Sequence, residues 1–217
     1  MSYQFAREQM VKQQVRAWDV LDPRVLDVLD ALPREEFVPQ AYRGLAYADT
    51  QIPLPHGQAM MAPKVEGRLL QALDPQPQET TLEIGTGSGF VTACLARLAH
   101  TVFSVDIFPE FTAGAAGTLK QLGIGNLQLE TRDATQLTWA TQRFDLIAIT
   151  ASLPAYDRKY GDRLTVGGRM FVIVGQPPIM EALLITRVAE DAWARESLFE
   201  TALPPLINAV APPAFRF

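Results

Sequence analysis

The sequence predicts an α/β protein: a parallel sheet with helices on both faces, preceded by a helical extension. Three observations predict it. From residue 80 onward, short β-type apolar runs alternate with segments of helical period. One run, Leu146-Ile147-Ala148-Ile149, is apolar at consecutive positions, as a central strand covered on both faces requires. A glycine-rich stretch, Gly85-Thr86-Gly87-Ser88-Gly89, falls where a buried strand turns into a helix.

In chain order, Val11, Val15 and Trp18 form one helical stripe and Val25, Leu26, Leu29 and Leu32 another, which predicts two short helices. Asp22-Pro23 marks the boundary, because Asp caps a helix start and Pro fits its first turn, where an N–H has no intrahelical partner. Pro33 and Pro39 end this pattern, and residues 40–63 fit neither period, so they form a long connection of the kind that is functional or disordered. Pro63 opens a helix with Val65, Leu69, Leu70 and Leu73 on its buried face. Strands are expected at 80–84, 101–106, 127–131, 144–150 and 168–174, with helices at about 89–99, 109–122 and 155–165. Segments 180–189 and 193–201 are expected to pair as a hairpin at the far edge of the sheet. The expected organisation is a single domain over 1–217: an extension with an active-site loop over 1–75 and an α/β core over 76–217.

The 217 residues carry 19 Lys+Arg against 24 Asp+Glu, a formal charge of -5, with 48% hydrophobic and 20% charged residues. A folded chain of this size buries roughly 70% of its unfolded surface, and this composition excludes a disordered or collagen-like chain. The acidic balance supplies no overall basic field for nucleic acid or anionic lipid, so neither is an expected partner. Cys94, the single cysteine, forms no intramolecular disulfide, and with His56 and His100 it makes no zinc spacing, so no metal is expected. Charged residues interrupt the apolar ones from Met1 to Trp18, unlike a signal peptide, and no run reaches the roughly 18 apolar residues of a membrane span. A soluble, cytoplasmic protein is expected.

Glycines at the strand-to-helix turn permit positive φ and close approach of a ligand to backbone N–H groups. A tight turn without a ligand is the alternative. The spacing is G-x-G-x-G rather than the G-x-G-x-x-G of dinucleotide enzymes, and Glu83 precedes it. A carboxylate there repels a pyrophosphate but suits an ammonium or its ordered water. Asp106, about 20 residues further on, ends the next strand where a carboxylate accepts from ribose hydroxyls; its alternative is a cap before Pro109. Asp133, after the third strand, is placed at an adenine edge or, alternatively, in a capped turn. Three acids and a glycine loop at strand carboxyl ends converge on the crevice where open α/β sheets bind ligands, and they suit a cationic nucleoside such as S-adenosylmethionine better than NAD.

These residues resemble the class I S-adenosylmethionine-dependent methyltransferases, and specifically the protein-L-isoaspartate O-methyltransferase family. Leu82 to Phe90 is similar to that family's L-E-I-G-T-G-S-G-Y, and Pro33-Arg34-Glu35-Glu36-Phe37-Val38-Pro39 to its P-R-x-x-F-V-P. Tyr47-Ala48-Asp49, Ile52-Pro53 and His56-Gly57-Gln58 resemble the loop before its active site, Phe144 to Ala151 its F-D-A-I-I-V-T-A, and Gly167-Gly168-Arg169 its P-G-G-R. The resemblance implies a Rossmann-like class I methyltransferase sheet and a repair reaction, in which a methyl group passes from S-adenosylmethionine to the α-carboxylate of an L-isoaspartyl residue. Isoaspartyl peptides or proteins are then the substrates. Cofactor contacts are implied at Glu83, Ile84, Gly85, Thr86, Gly87, Ser88, Gly89, Asp106, Ile107, Asp133, Ala134 and Thr150. Substrate contacts are implied at His56, Gln58, Ala59, Met60, Met61 and Leu206; for His56 a merely structural hydrogen bond is the alternative.

The chain departs from the family on the acceptor side. Where the family has G-Q-T-I-S-x-P, this sequence reads Gly57-Gln58-Ala59-Met60-Met61-Ala62-Pro63, so Ala59 replaces the threonine and Met61 the serine assigned to the active site. Loss of a donor to the transition state costs about 3 kcal/mol, so no catalytic side chain is assigned. A relative with another methyl acceptor and a non-catalytic cofactor-binding protein are the alternatives, and an NAD-dependent oxidoreductase ranks below both. Leu203-Pro204-Pro205-Leu206 resembles the family's terminal V-P-L segment near the peptide cleft, or is a proline-broken edge strand. Trp18, Trp139 and Trp193 are expected to pack, Cys94 to be buried, and His100 to lie at the surface, while Phe215-Arg216-Phe217 packs on the body or mediates an oligomer contact.

Overall fold

A computed structural model describes residues 2–136 and 142–210. Trp139 and the aromatic terminus at 215–217 lie outside the described residues. Ser2 caps α1 (Tyr3–Gln9) by accepting from the Phe5 N–H at 3.3 Å. The helix widens into a π-helical stretch over Met10–Val15, then tightens into a 3-10 turn over Arg16–Trp18 that ends at Asp19 in the left-handed region. This places Met10, Val11 and Val15 inside, with Trp18 edge-on to Phe199 at 5.6 Å. Helix α2 (Pro23–Ala31) begins as the sequence predicts, with Pro23 in its first turn and the Asp22 carboxylate accepting from the Arg24 N–H at 2.8 Å.

The connection that fits neither period contains 3-10 turns and one small hairpin, β1 (Ile52–Pro53) antiparallel to β2 (Ala59–Met60). Helix α3 (Pro63–Leu73) buries Val65, Leu69, Leu70 and Leu73, the face its period predicts. The sheet follows: β3 (Thr80–Ile84), α4 (Phe90–Leu98), β4 (Thr101–Asp106), α5 (Pro109–Gln121), β5 (Leu127–Thr131), β6 (Phe144–Leu153), α6 (Arg158–Gly161), β7 (Leu164–Gln176), β8 (Ile179–Ala189) and β9 (Ala192–Glu200). The strand order is β5-β4-β3-β6-β7-β8-β9, parallel from β5 to β7 and antiparallel in the final hairpin. Strand order reverses at β3, which puts the glycine loop at the topological switch point.

The helix expected over 155–165 is a single turn. Asp157 caps it by accepting from the Lys159 N–H, but Leu164, Thr165 and Val166 already belong to β7. β-branched residues and the full burial of Leu164 favour the strand, and Gly161 lies against the Trp193 indole, whose N–H bonds its carbonyl at 3.0 Å. Strand β6 also outruns its expected end by three residues, from Thr150 to Leu153. Along β6, Leu146 and Ala148 join the apolar cluster that α3, α4 and the N-terminal helices cover, while Ile147 and Ile149 join the cluster on the opposite face. Tyr160, Trp193, Leu206 and Ala209 pack against that second cluster. Cys94 and His100 are buried and exposed respectively, as expected. No helix among the described residues is long and apolar enough to cross a membrane.

One buried ion pair joins the extension to the sheet. Arg34, fully buried, donates from Nε to Glu66 Oε2 at 3.0 Å and from one terminal nitrogen to Glu66 Oε1 at 2.9 Å. Its remaining N–H groups reach the Ala46 and Met61 carbonyls, each at 2.7 Å, and its guanidinium lies 5.2 Å from the Phe90 ring centre. Removing one partner leaves an uncompensated buried charge, at a cost of about 3–5 kcal/mol. Accordingly Glu66→Ala is expected to lose that much in urea unfolding, whereas the double substitution Arg34→Met with Glu66→Leu recovers most of it; equal losses in both variants overturn this account.

Candidate active site

A cleft of about 760 Å³, counting its open mouth, lies at the carboxyl ends of β3, β4 and β6. The sequence-predicted residues Glu83, Ile84, Gly85, Thr86, Gly87, Ser88, Asp106, Ile107, Asp133, Ala134 and Thr150 line one part of it; Gln58, Ala59, Met60, Met61 and Leu206 line another. Two predicted residues are not in its wall. Gly89 works behind it: with φ at 85° it opens α4, and a side chain there would strike the Ala115 Cβ of α5 at 2.7 Å. His56 sits at the rim, stacked on Phe108 with ring centres 4.0 Å apart and bonded to Glu110.

The glycine loop is held from three sides. Gly85 adopts φ of 103°, and any side chain there would overlap the Thr150 hydroxyl, which donates to the Ile84 and Gly85 carbonyls. The Gly87 N–H donates to Asp106 Oδ2 at 2.9 Å, while Asp106 Oδ1 accepts from the Phe108 N–H at 3.0 Å, just before α5. Asp106 therefore closes the turn that leads into α5 without capping the helix, whose N-cap Phe108 has no side-chain capping bond, and its carboxylate still has lone pairs for hydroxyl donors. Burial pushes its pKa up, against the pull of those backbone donors.

Glu83 is fully buried behind the loop. Its Oε2 accepts from Thr92 and from Ser104 at 2.6 Å, and Ser104 shares a hydrogen bond of 2.7 Å with Thr86. Its Oε1 is buried without a donor. Burial pushes the Glu83 pKa up to about 8, with the two hydroxyls pulling the other way. Asp133 is different. Its carboxylate accepts from the Thr135 N–H and hydroxyl, from Gln136, and from Asn208 Nδ2 at 2.9 Å. Slight burial raises its pKa, but these donors outweigh it and hold the group below the ordinary value. The capped-turn reading of Asp133 describes its bonding, although the residue also forms part of the cleft wall.

Strand β6 positions the last wall. The Ser152 N–H donates to the Pro204 carbonyl at 3.0 Å, the Leu206 N–H to the Ser152 carbonyl at 2.8 Å, and the Ser152 hydroxyl to the Leu203 carbonyl at 2.9 Å. Leu206 and its neighbour Ile207, which sequence reasoning passed over, thereby face the cleft. It also passed over Leu54, Phe108, Phe111 and Glu66. Only Phe108 and Phe111 carried a signal, as aromatics flanking a predicted helix start at Pro109. The acceptor side is apolar, with Met60 and Met61 each under 5% exposed, and Gln58 is the polar side chain among the hairpin residues there.

The raised Glu83 pKa sets a pH dependence of stability. Between the ordinary 4.5 and about 8 the folded chain keeps a proton that the unfolded chain has released, so stability falls as pH rises through that window. Glu83→Gln removes this loss. Its unfolding midpoint relative to the parent chain is expected to be higher at pH 8 than at pH 5, and an equal difference at both pH values overturns the assignment.

Comparison with known proteins agrees with this geometry. The family model described as Protein-L-isoaspartate(D-aspartate) O-methyltransferase matches residues 6–209. The Protein-L-isoaspartate O-methyltransferase 2 of Pelobacter propionicus is 36% identical over 208 residues, 95% of this chain and 92% of the relative. The Magnetococcus marinus Protein-L-isoaspartate O-methyltransferase is 37% identical over 188 residues, 86% of this chain and 82% of its own. Among solved structures, a Plasmodium falciparum protein assigned to the same enzymes, in complex with S-adenosyl-L-homocysteine, superposes with a TM-score of 0.79 at 18% identity, covering 92% of this chain and 97% of that one. The low identity of that superposition establishes the fold, and the family model and the relatives establish the lineage. The chain belongs to the protein-L-isoaspartate (D-aspartate) O-methyltransferase family.

Proposed function

We propose that the cleft binds S-adenosylmethionine and that the chain transfers its methyl group to the α-carboxylate of L-isoaspartyl residues in peptides or proteins. The observation that carries the cofactor assignment is Glu83 Oε1, a fully buried acceptor with no donor at the base of the glycine loop. The free chain keeps a proton on Glu83 at neutral pH, and the α-ammonium of the cofactor, or water ordered by it, would supply a donor to Oε1 and a positive charge that favours the ionised carboxylate. The Gly85–Ser88 loop, Asp106 with Ile107, and Ala134 beside Asp133 are the residues that would hold the rest of the nucleoside. When bound, the cofactor supplies an electrophilic methyl group on a sulfonium.

The chain's own task is positioning and exclusion of water. An acceptor carboxylate is already ionised at neutral pH, so no strong base is required, consistent with the lack of a histidine in the cleft wall. Attack of a carboxylate on a sulfonium cancels two charges, so a poorly hydrating wall favours the transition state over the separated ions. Leu54, Ala59, Met60, Met61 and Leu206 form such a wall. In-line approach within it supplies much of the remaining acceleration. With hydroxyls missing at Ala59 and Met61, Gln58 is the side-chain donor that the hairpin itself offers the acceptor, beside backbone N–H groups. The single cysteine, buried and with its thiol pKa pushed up by burial, suits a reducing aqueous compartment such as the cytoplasm.

The deciding experiment follows labelled methyl from S-adenosylmethionine into an isoaspartyl peptide and into the same peptide with normal aspartate. Selective transfer to the isoaspartyl form is expected; protein that binds the cofactor yet labels neither peptide points to another acceptor or to a binding role. Met61→Ser restores a donor, and a gain in kcat of at least about tenfold on the isoaspartyl peptide is expected, with the roughly 10²–10³ of a single transition-state donor as its ceiling. An unchanged kcat assigns that role to Gln58 or the backbone.

A further inference from the structure

The hairpin of β1 and β2 hangs over the cleft. Leu54, at its near end, lies within 3.5 Å of where a Gly87 side chain would start, and Ala59 and Met60, on its return strand, form part of the acceptor wall. Inside the hairpin tip the bonds are local: Leu54 N–H to the Gln58 carbonyl at 2.8 Å and Gln58 N–H to the Pro55 carbonyl at 3.1 Å. Among the described residues, the side chains of 54–58 make a single hydrogen bond beyond the hairpin, from His56 to Glu110 in the first turn of α5. The His56 ring also lies parallel to Phe108, 7° between planes, with Phe111 edge-on at 5.9 Å. Both phenylalanines line the cleft.

His56 and Gly57 are the two central residues of the hairpin turn, and their φ values of 59° and 68° are the left-handed conformations that a tight hairpin turn requires. That turn carries the His56 ring to Phe108 and Glu110.

We infer that His56 is a positioning residue: with Phe108 and Glu110 it clamps the hairpin to the start of α5 and so fixes the spacing between the nucleoside side of the cleft and the acceptor wall. This rests on the proposed binding of S-adenosylmethionine in the cleft. Phe108 follows the Asp106-Ile107 turn assigned to the nucleoside, so tension on the clamp is felt where the cofactor binds. The clamp's first effect is therefore on retention of the cofactor, with a smaller effect on the chemical step once both substrates are in place.

Calorimetric titration with S-adenosylhomocysteine, beside methyl-transfer kinetics at saturating donor, tests this. His56→Gly removes ring and bond while accepting the φ of 59° without strain, and His56→Phe keeps the stack and loses the bond. About a tenfold weaker Kd is expected for His56→Gly, a smaller loss for His56→Phe, and kcat within threefold of the parent in both. Glu110→Ala is expected to match His56→Phe and to add nothing when combined with it. Parent protein that fails to bind S-adenosylhomocysteine overturns the cofactor reading itself. Parent protein that binds it while His56→Gly and Glu110→Ala bind equally well overturns the clamp alone, as does a fall in kcat with Kd unchanged.

Discussion

The Arg34–Glu66 pair is the constraint on which the arrangement of the cleft depends. A guanidinium offers five N–H donors in a fixed plane, and here four of its hydrogen bonds reach three separate segments: α3 through Glu66, the connection through the Ala46 carbonyl, and the acceptor loop through the Met61 carbonyl. Because the fork is rigid, these segments cannot shift independently. The Met61 carbonyl is thereby anchored, although the side chain at 61 differs from the family's serine. The substitution thus changes the chemistry of the wall and leaves its path in place. The same guanidinium faces Phe90, the first residue of α4, so the acceptor loop and the glycine loop are referred to one point.

The cofactor side is built on a different principle, a chain of hydroxyls and carboxylates in which each group orders the next. Thr86 bonds Ser104, Ser104 bonds Glu83, and Thr92 of α4 bonds Glu83 from the other side. Such a network is stabilising only when every member is satisfied, and Glu83 Oε1 is the member left open. A cation with N–H donors beside that oxygen favours the ionised form of Glu83, whereas a pyrophosphate favours the protonated form.

Much of this was legible in the residues, and the failures have physical causes. Period alone located α3 and its buried face, because Val65, Leu69, Leu70 and Leu73 follow a helical stripe bounded by Pro63 and Pro75. The glycine loop was legible because three glycines at a strand end have few other uses. The helix expected over 155–165 failed because its Tyr and Leu residues serve two elements, and burial of Leu164 in β7 overrode local propensity. Arg34 and Glu66 were invisible as a pair: 32 residues apart, each reads as a surface charge until the fold closes around them. His56 is legible as a substrate contact or a structural hydrogen-bonding residue, and the structure shows the hydrogen bond; its partners Phe108 and Glu110, however, lie more than 50 residues away, on an element whose approach no local pattern encodes.

The segment carrying Leu206 and Ile207 has no place in the sheet beyond an isolated bridge from Ser152 to Pro205. It is attached through three bonds to Ser152, through the Asn208–Asp133 contact and through the Gln51 amide on the Ala202 carbonyl, with Leu203 buried in one apolar cluster and Leu206 packed against the other. The cleft is bounded by walls of unlike construction: a glycine loop joined directly to two sheet strands on one side, and on the other a segment outside the sheet that rests on the end of β6.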